Sequence, residues 1–288
     1  MPFEFRKVYI DLITEQGEVA VLYLSWVRFF QRWYAQASLE IHEQGGRCTL
    51  IHAEDTPPLV DPTRGLDQLP VALTIPGGKL ELHVQPIHDA WEPAVPSPVP
   101  ELTWSLGALR SNTTITLNTD SGTRQLRGEG CVDFVTITKA TRKLGLRSLR
   151  WGRAHMFERS LAFTALELAD DRRWFVGVTR LHGRDARSYG NLTLQLKDGE
   201  GMVRFGSGGQ HLRFSKPTLL RSGSAFDAAR FPNLLQRQAC QAVCGAHEER
   251  RWSCQAKVDN AHGVGTALHE IVWFGKYARQ AARGELEG

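Results

Sequence analysis

The sequence predicts an all-β fold, two up-and-down barrels in tandem, on three observations. Short runs of alternating apolar and polar residues recur along the whole chain, punctuated by turn residues at the spacing expected of sandwiches and barrels. Only two stretches have helical composition, residues 229–239 and 275–286, and both are short. The chain has 288 residues, a comfortable length for two domains. So many strands call for closure or stacking, because open sheet edges invite aggregation.

The elements follow in order. FRKVYIDLI and EVAVLYLSWVRFF are two strands about a turn at Gly17. QRWYAQASLEIH and RCTLIH lie either side of Gly45 and Gly46. VALTI and KLELHVQPI form a hairpin around Pro76, Gly77 and Gly78. WEPAVPSPVP, residues 91–100, reads as a loop or crossing connection. ELTWSLG and TTITLNTDSGTRQLRGEGCVDFVTIT resume the alternation, and SLRWGRAHM, RSLAFTALEL, RRWFVGVTRLHG, NLTLQLKDGEG, HLRFSKPTLL, RRWSCQAKVDN and ALHEIVWFGKY complete it. No repeat of solenoid length is present.

Composition narrows the function classes. Hydrophobic residues make up 42% and charged residues 23%, which is ordinary for a globular chain. The net charge of +4 is weak evidence for an anionic partner, and the basic run KATRKLGLRSLR sits in no recognisable nucleic-acid module, so no nucleic acid is expected; an acidic protein surface is the partner that run could take. The N-terminus lacks the charged and apolar regions of a secretory signal. No apolar run approaches the ~20 residues that span a bilayer. A cytoplasmic protein without a transmembrane segment is expected, with transient membrane contact the most a lipophilic substrate would require.

Five cysteines at irregular spacing fit reduced thiols. Cys240, Cys244, His247 and Cys254 lack the paired knuckles of a structural zinc site, and Cys240, Cys244 and Cys254 read as ordinary core cysteines in a β-hairpin. GSGG at 206–209 has no following Lys-Ser/Thr and helix, so it is not a phosphate loop. No serine sits in a nucleophile elbow. Neither a metal nor a cofactor is expected.

The chemistry concentrates in residues 128–155, GEGCVDFVTITKATRKLGLRSLRWGRAH. Side chains two apart on a strand share a face, so Trp151, Arg153 and His155 point one way, and the small Gly152 and Ala154 the other. Cys131, Asp133 and Val135 share a face by the same rule. A carboxylate on so apolar a strand is costly to bury without a donor. Two outcomes remain open. Paired with Arg153 or Arg150, Asp133 is part of a structural ionic network. Facing an apolar cavity, it is a neutral acid able to protonate an alkene, with Trp151, Trp104 or Phe134 stabilising the carbocation and His155 serving as base or orienting partner.

This stretch, an acid after Gly-x-Gly, a basic linker and then Trp-Gly-Arg-Ala-His, resembles the carotenoid 1,2-hydratase family and the related AttH-like proteins. RKVYIDLITEQGEVAVLYLSW and ALHEIVWFGKY are similar to that family's first strands and last strand. The resemblance implies two tandem lipocalin-like (calycin) β-barrels, residues 1–127 and 128–288, with the junction somewhere in 126–160. It implies hydration of an isoprenoid double bond, or isomerisation or cyclisation of a polyene, without a cofactor. The sequence departs from the family pattern at Phe134, where His is usual, and at Thr136, where Trp is usual. In LAFTALEL the acid is Glu167, which reads either as a second catalytic acid or as the start of a charged turn.

Two functional readings follow. The first is a cofactor-independent lyase or isomerase acting on a hydrophobic isoprenoid or polyene substrate by proton transfer in a barrel cavity, with Asp133, His155 and Glu167 as catalytic candidates and Trp151, Arg153, Phe134 and Trp104 lining the substrate. The second is a non-catalytic binder or carrier of a lipophilic small molecule.

Overall fold

The structure, a computed structural model, describes residues 3–29, 32–55, 57–60, 65–67, 69, 72–207, 210–224, 227, 229, 237, 238, 241, 244–259 and 263–286. The chain forms two compact units, one of residues 1–92 and 101–139, the other of residues 93–100 and 140–288.

The first unit holds β1 (Glu4–Thr14), β2 (Val19–Phe29), β3 (Arg32–His42), β4 (Cys48–His52), β5 (Ala72–Ile75), β6 (Gly78–His88), β7 (Leu102–Thr119) and β8 (Gly122–Ile137). Every pairing is antiparallel, in the order β4-β3-β2-β1-β8-β7-β6-β5. Two meanders are thus joined by the first strand lying beside the last, and the sheet curls into a nearly closed barrel. Val8, Ile10 and Leu12 of β1, Leu22, Leu24 and Trp26 of β2, and Val132 and Phe134 of β8 point into its core. The period of two therefore sends Tyr9, Asp11, Tyr23 and Asp133 to the opposite face, and these too are buried.

Where the sequence suggests a break between ELTWSLG and the run that begins TTITLNT, the structure has the single 18-residue β7. Two register shifts, between Leu106 and Ala108 and between Ala108 and Ser111, absorb the irregularity. They keep both halves paired with β8, and so extend the strand.

The second unit repeats the plan. It holds β9 (Leu146–Met156), β10 (Arg159–Leu168), β11 (Arg173–Leu181), β12 (Arg187–Tyr189), β13 (Leu192–Lys197), β14 (Glu200–Phe205), β15 (His211–Ser224), β16 (His247–Val258) and β17 (Gly265–Phe274). Their order is β12-β11-β10-β9-β17-β16-β15-β14-β13, again with first strand beside last, in a second nearly closed antiparallel barrel. Phe163, Phe205, Phe214, Trp252, Ala256 and Trp273 fill its interior. The helix α1 (Lys276–Ala282) falls inside the predicted 275–286 segment and buries Ala278 and Ala281 against this core. Most of the other helical segment, 229–239, lies outside the described residues. In the Pro-rich stretch, Trp91 makes an isolated bridge to Leu106 within the first unit. Val95 accepts a hydrogen bond from Trp174 Nε1 at 2.9 Å within the second.

Candidate functional site

In the first unit, β8 presents Asp133 between Tyr9 of β1 and Leu106 of β7, each directly across a ladder from it. Tyr9 pairs in turn with Tyr23 of β2, and the two rings meet edge to face at 5.3 Å. Lys7 Nζ lies 4.7 Å from the Tyr23 centroid and 5.3 Å from that of Tyr9, so these rings already take part in cation–π contacts. Trp104, two residues before Leu106, shares the face with Asp133 and stacks edge to face on Trp91 at 5.6 Å. The indole N–H of Trp104 is buried and meets no acceptor among the described residues. Phe134 points the other way, into the barrel core, where it crowds Gly107 so closely that a side chain there would collide with its ring. The structure thus brings Trp104 to the face of Asp133 and puts Phe134 on the opposite one.

Two further groups on this face escaped the sequence analysis. Glu40 and His42 of β3 are both buried, with Oε2 and Nε2 3.6 Å apart. Their signal was the alternation SLEIH, which puts an acid and an imidazole two residues apart on one face.

In the second unit, Trp151, Arg153 and His155 do share one face of β9, and all three are buried. It is the face turned away from the barrel interior, because Ala154 and Met156 belong to the core. Gly152 lies on the inward side, and there an added Cβ would sit 2.7 Å from the Phe163 ring and 2.8 Å from His269 Cβ. That side of the strand therefore packs closely at Gly152.

Beside Trp151 lies an ionic network that the sequence analysis did not single out. Glu270 of β17 is the ladder partner of both Trp151 and Arg251. Arg251 Nε donates to Glu270 Oε2 at 2.7 Å, and Arg251 Nη2 lies 3.3 Å from Glu249 Oε1. Arg221 Nε reaches the same Glu249 oxygen at 2.6 Å. Acids and bases two apart in HEERRW, facing a lone acid in ALHEIVWF, were the available signal, but cross-strand register cannot be read from either run alone.

Glu167 lies on the inward face of β10 opposite Ser148, whose hydroxyl donates to it at 3.2 Å. The guanidinium groups of Arg147 and Arg173 stand 4.0 and 3.7 Å away. His155 and Glu167 therefore occupy opposite faces of one sheet. Arg150 also points inward; burial lowers its pKa, opposed by the charge of Glu167.

The barrel interior contains a neutral imidazole. Burial pushes His269 down to about 4, so at pH 7 Nε2 carries a proton and donates to the Gly199 carbonyl at 3.0 Å. The ring stacks on Trp252 at 5.1 Å. Cys254 donates to the same carbonyl at 3.3 Å, and burial pushes its thiol up to about 12.

Of the four residues weighed as a zinc set, Cys240 is outside the described residues, as are two residues of the 206–209 glycine run. Cys244 lies ahead of β16, in a helical turn instead of the expected hairpin. His247 and Cys254 are seven positions apart on opposite faces of β16, so they do not converge.

No family model matches this sequence, and no curated protein does. Solved structures match over nearly the whole chain. A Nitrosomonas europaea protein assigned as an AttH superposes with a TM-score of 0.60 at 10% identity, covering 94% of this chain and 92% of its own. CghA bound to Sch210972 gives 0.58 at 11% identity, covering 94% and 89%. Kievitone hydratase from Nectria haematococca gives 0.55 at 8% identity, covering 94% and 89%. The resemblance to AttH-like proteins holds at the level of the fold, which this chain shares with proteins that include a hydratase.

Proposed function

We propose that this protein is a cofactor-independent lyase or isomerase that acts by proton transfer on a hydrophobic, isoprenoid or polyene substrate. The observation that carries the reading is the grouping on one face of β7, β8 and β1. It joins a buried carboxyl at Asp133, the ring of Tyr9 across the ladder, and the indole of Trp104 with its unused N–H. The fold shared with a hydratase supports it.

In the proposed reaction the Asp133 carboxylic acid gives its proton to an alkene carbon. A carbocation forms, and Asp133 becomes a carboxylate. Aromatic faces stabilise the cation. Water then adds and loses a proton to a base, which gives hydration, or an adjacent carbon loses the proton, which gives isomerisation. The Asp133 carboxylate left by the first step is the proposed base: it takes that proton back, which restores the acid. The Trp104 N–H is the proposed donor to a substrate oxygen or to the attacking water.

The test begins with mass spectrometry of an organic extract of the purified protein against an equal mass of a control protein. One enriched apolar metabolite gives the ligand class and a substrate to incubate with wild type and Asp133→Asn. Turnover by wild type, lost in a variant that melts normally, supports the proposal. A retained metabolite that neither protein converts makes the chain a carrier. Unfolding of Asp133→Asn assigns the residue to the structural network instead.

A further inference from the structure

We infer that one end of the second barrel is a docking surface for an anionic lipid bilayer. The β9–β10 hairpin closes through a two-residue loop, Phe157 and Glu158, since Met156 pairs with Arg159. Polar or glycine residues ordinarily fill such a loop. Here Phe157 projects from it with 90% of its surface exposed. The ladder of β9 with β17 pairs His155 with Thr266, and continuing that register brings Val264, 60% exposed, level with Phe157. Leu181, at the end of β11, pairs with Arg159 and is exposed beside them. Single exposed apolar side chains are commonplace. Three on the tips of neighbouring turns, at the same end of one barrel, are not scattered.

Charge selects the occupant. Arg159, Arg180, Arg184, Arg187, Arg213 and Lys257 lie on the same turns and strand ends. They outnumber the acids there, Glu158, Asp185 and Asp259, and Asp259 is already paired with His211 and Arg213. An aromatic tip ringed by arginine matches the two contributions that hold a protein at an anionic interface: apolar side chains entering the acyl boundary, and cations attracted to the lipid headgroups. An acidic protein partner would use the cations but leave Phe157 without a reason to project. Phe157 lies two positions beyond His155 on the β9–β10 hairpin, and binding to a bilayer needs no turnover.

Co-sedimentation of the full chain with phosphatidylcholine vesicles, with and without phosphatidylglycerol, tests the inference. Wild type is expected to bind the anionic vesicles and to release them between about 0.1 M and about 0.5 M salt. Phe157→Ser is expected to bind at least about tenfold more weakly, and Arg184→Glu with Arg187→Glu to lose a similar factor. Both variants should melt close to wild type, since Phe157 is 90% exposed and the arginine changes remove no more than the surface contact of Arg187 with the Tyr189 ring. Failure of wild type to bind, unchanged binding by Phe157→Ser, or equal binding to neutral vesicles would each overturn the proposal. So would concentration-dependent dimerisation that Phe157→Ser abolishes, which would assign these tips to a second copy of the chain.

Discussion

Arg251 and Glu270 face each other across the β16–β17 ladder, with Arg251 Nε 2.7 Å from Glu270 Oε2 and both side chains almost wholly out of solvent. A buried pair of this kind has lost hydration on both sides, and the loss is recovered only while both partners are present. Arg251→Ala or Glu270→Ala is therefore expected to cost about 3–5 kcal/mol in urea unfolding. Replacing both with apolar residues of similar volume should cost much less. A double variant as unstable as the sum of the single ones would show that the two residues are not coupled.

Buried imidazoles make stability depend on pH. Burial holds both His247 and His269 at about 4. An unfolded histidine takes a proton below about 6.5, while the folded ones stay neutral until about pH 4. The unfolded state thus binds more protons across this window, so stability rises with pH there and is lost as pH falls. The loss is on the order of 3 kcal/mol for each group. Chemical denaturation of wild type and His269→Gln, at steps from pH 7 to pH 4, checks this. The amide can still donate to the Gly199 carbonyl but cannot titrate, so its slope should be shallower. Parallel curves would mean that His269 is not held neutral.

Asp133 and Phe134 are neighbours in sequence with opposite surroundings, and the two should separate by assay. Phe134→Ala removes a ring from the first barrel's core and should cost about 3–5 kcal/mol. Phe134→Leu should melt lower while keeping any turnover. Trp104→Phe keeps an aromatic ring and removes the N–H, and should lower turnover more than stability. A Phe134→Leu variant that is stable and inactive would place that ring at the substrate after all.

Gly152 is expected to accept no side chain. A Cβ there would meet the Phe163 ring and His269 inside tolerable contact, so Gly152→Ala should destabilise by about 1–3 kcal/mol. Thermal unfolding measures it, and a neutral substitution would mean that the β9 strand shifts to make room.

Thiol reactivity should follow burial. Cys48 is exposed, whereas Cys131 and Cys254 are buried and burial pushes the Cys254 thiol up to about 12. Iodoacetamide at pH 8, followed by peptide mapping, should alkylate Cys48 in the native protein and leave Cys254 unmodified until denaturant is added. Early modification of Cys254 would show that the Gly199 turn opens readily.

By itself the sequence determined the strands, the paired-barrel architecture and the sharing of one face by Trp151, Arg153 and His155. These are local or cumulative properties: alternation with period two is written into each run, and many such runs require closure. Only the tertiary structure decided which face of each strand looks inward. Both faces of β8 and β9 are buried, so apolar content does not mark the interior, and Asp133 beside Phe134 reads alike from either side. Distant strands settle it, with Val8 and Ala108 lying on the inward side of β8, and Phe163 and Ala267 on that of β9. The same reason hid Glu270 and Arg251, whose partnership is a matter of register between strands. Register is set by the turns and cores at both ends of a ladder, and no single run of residues carries it.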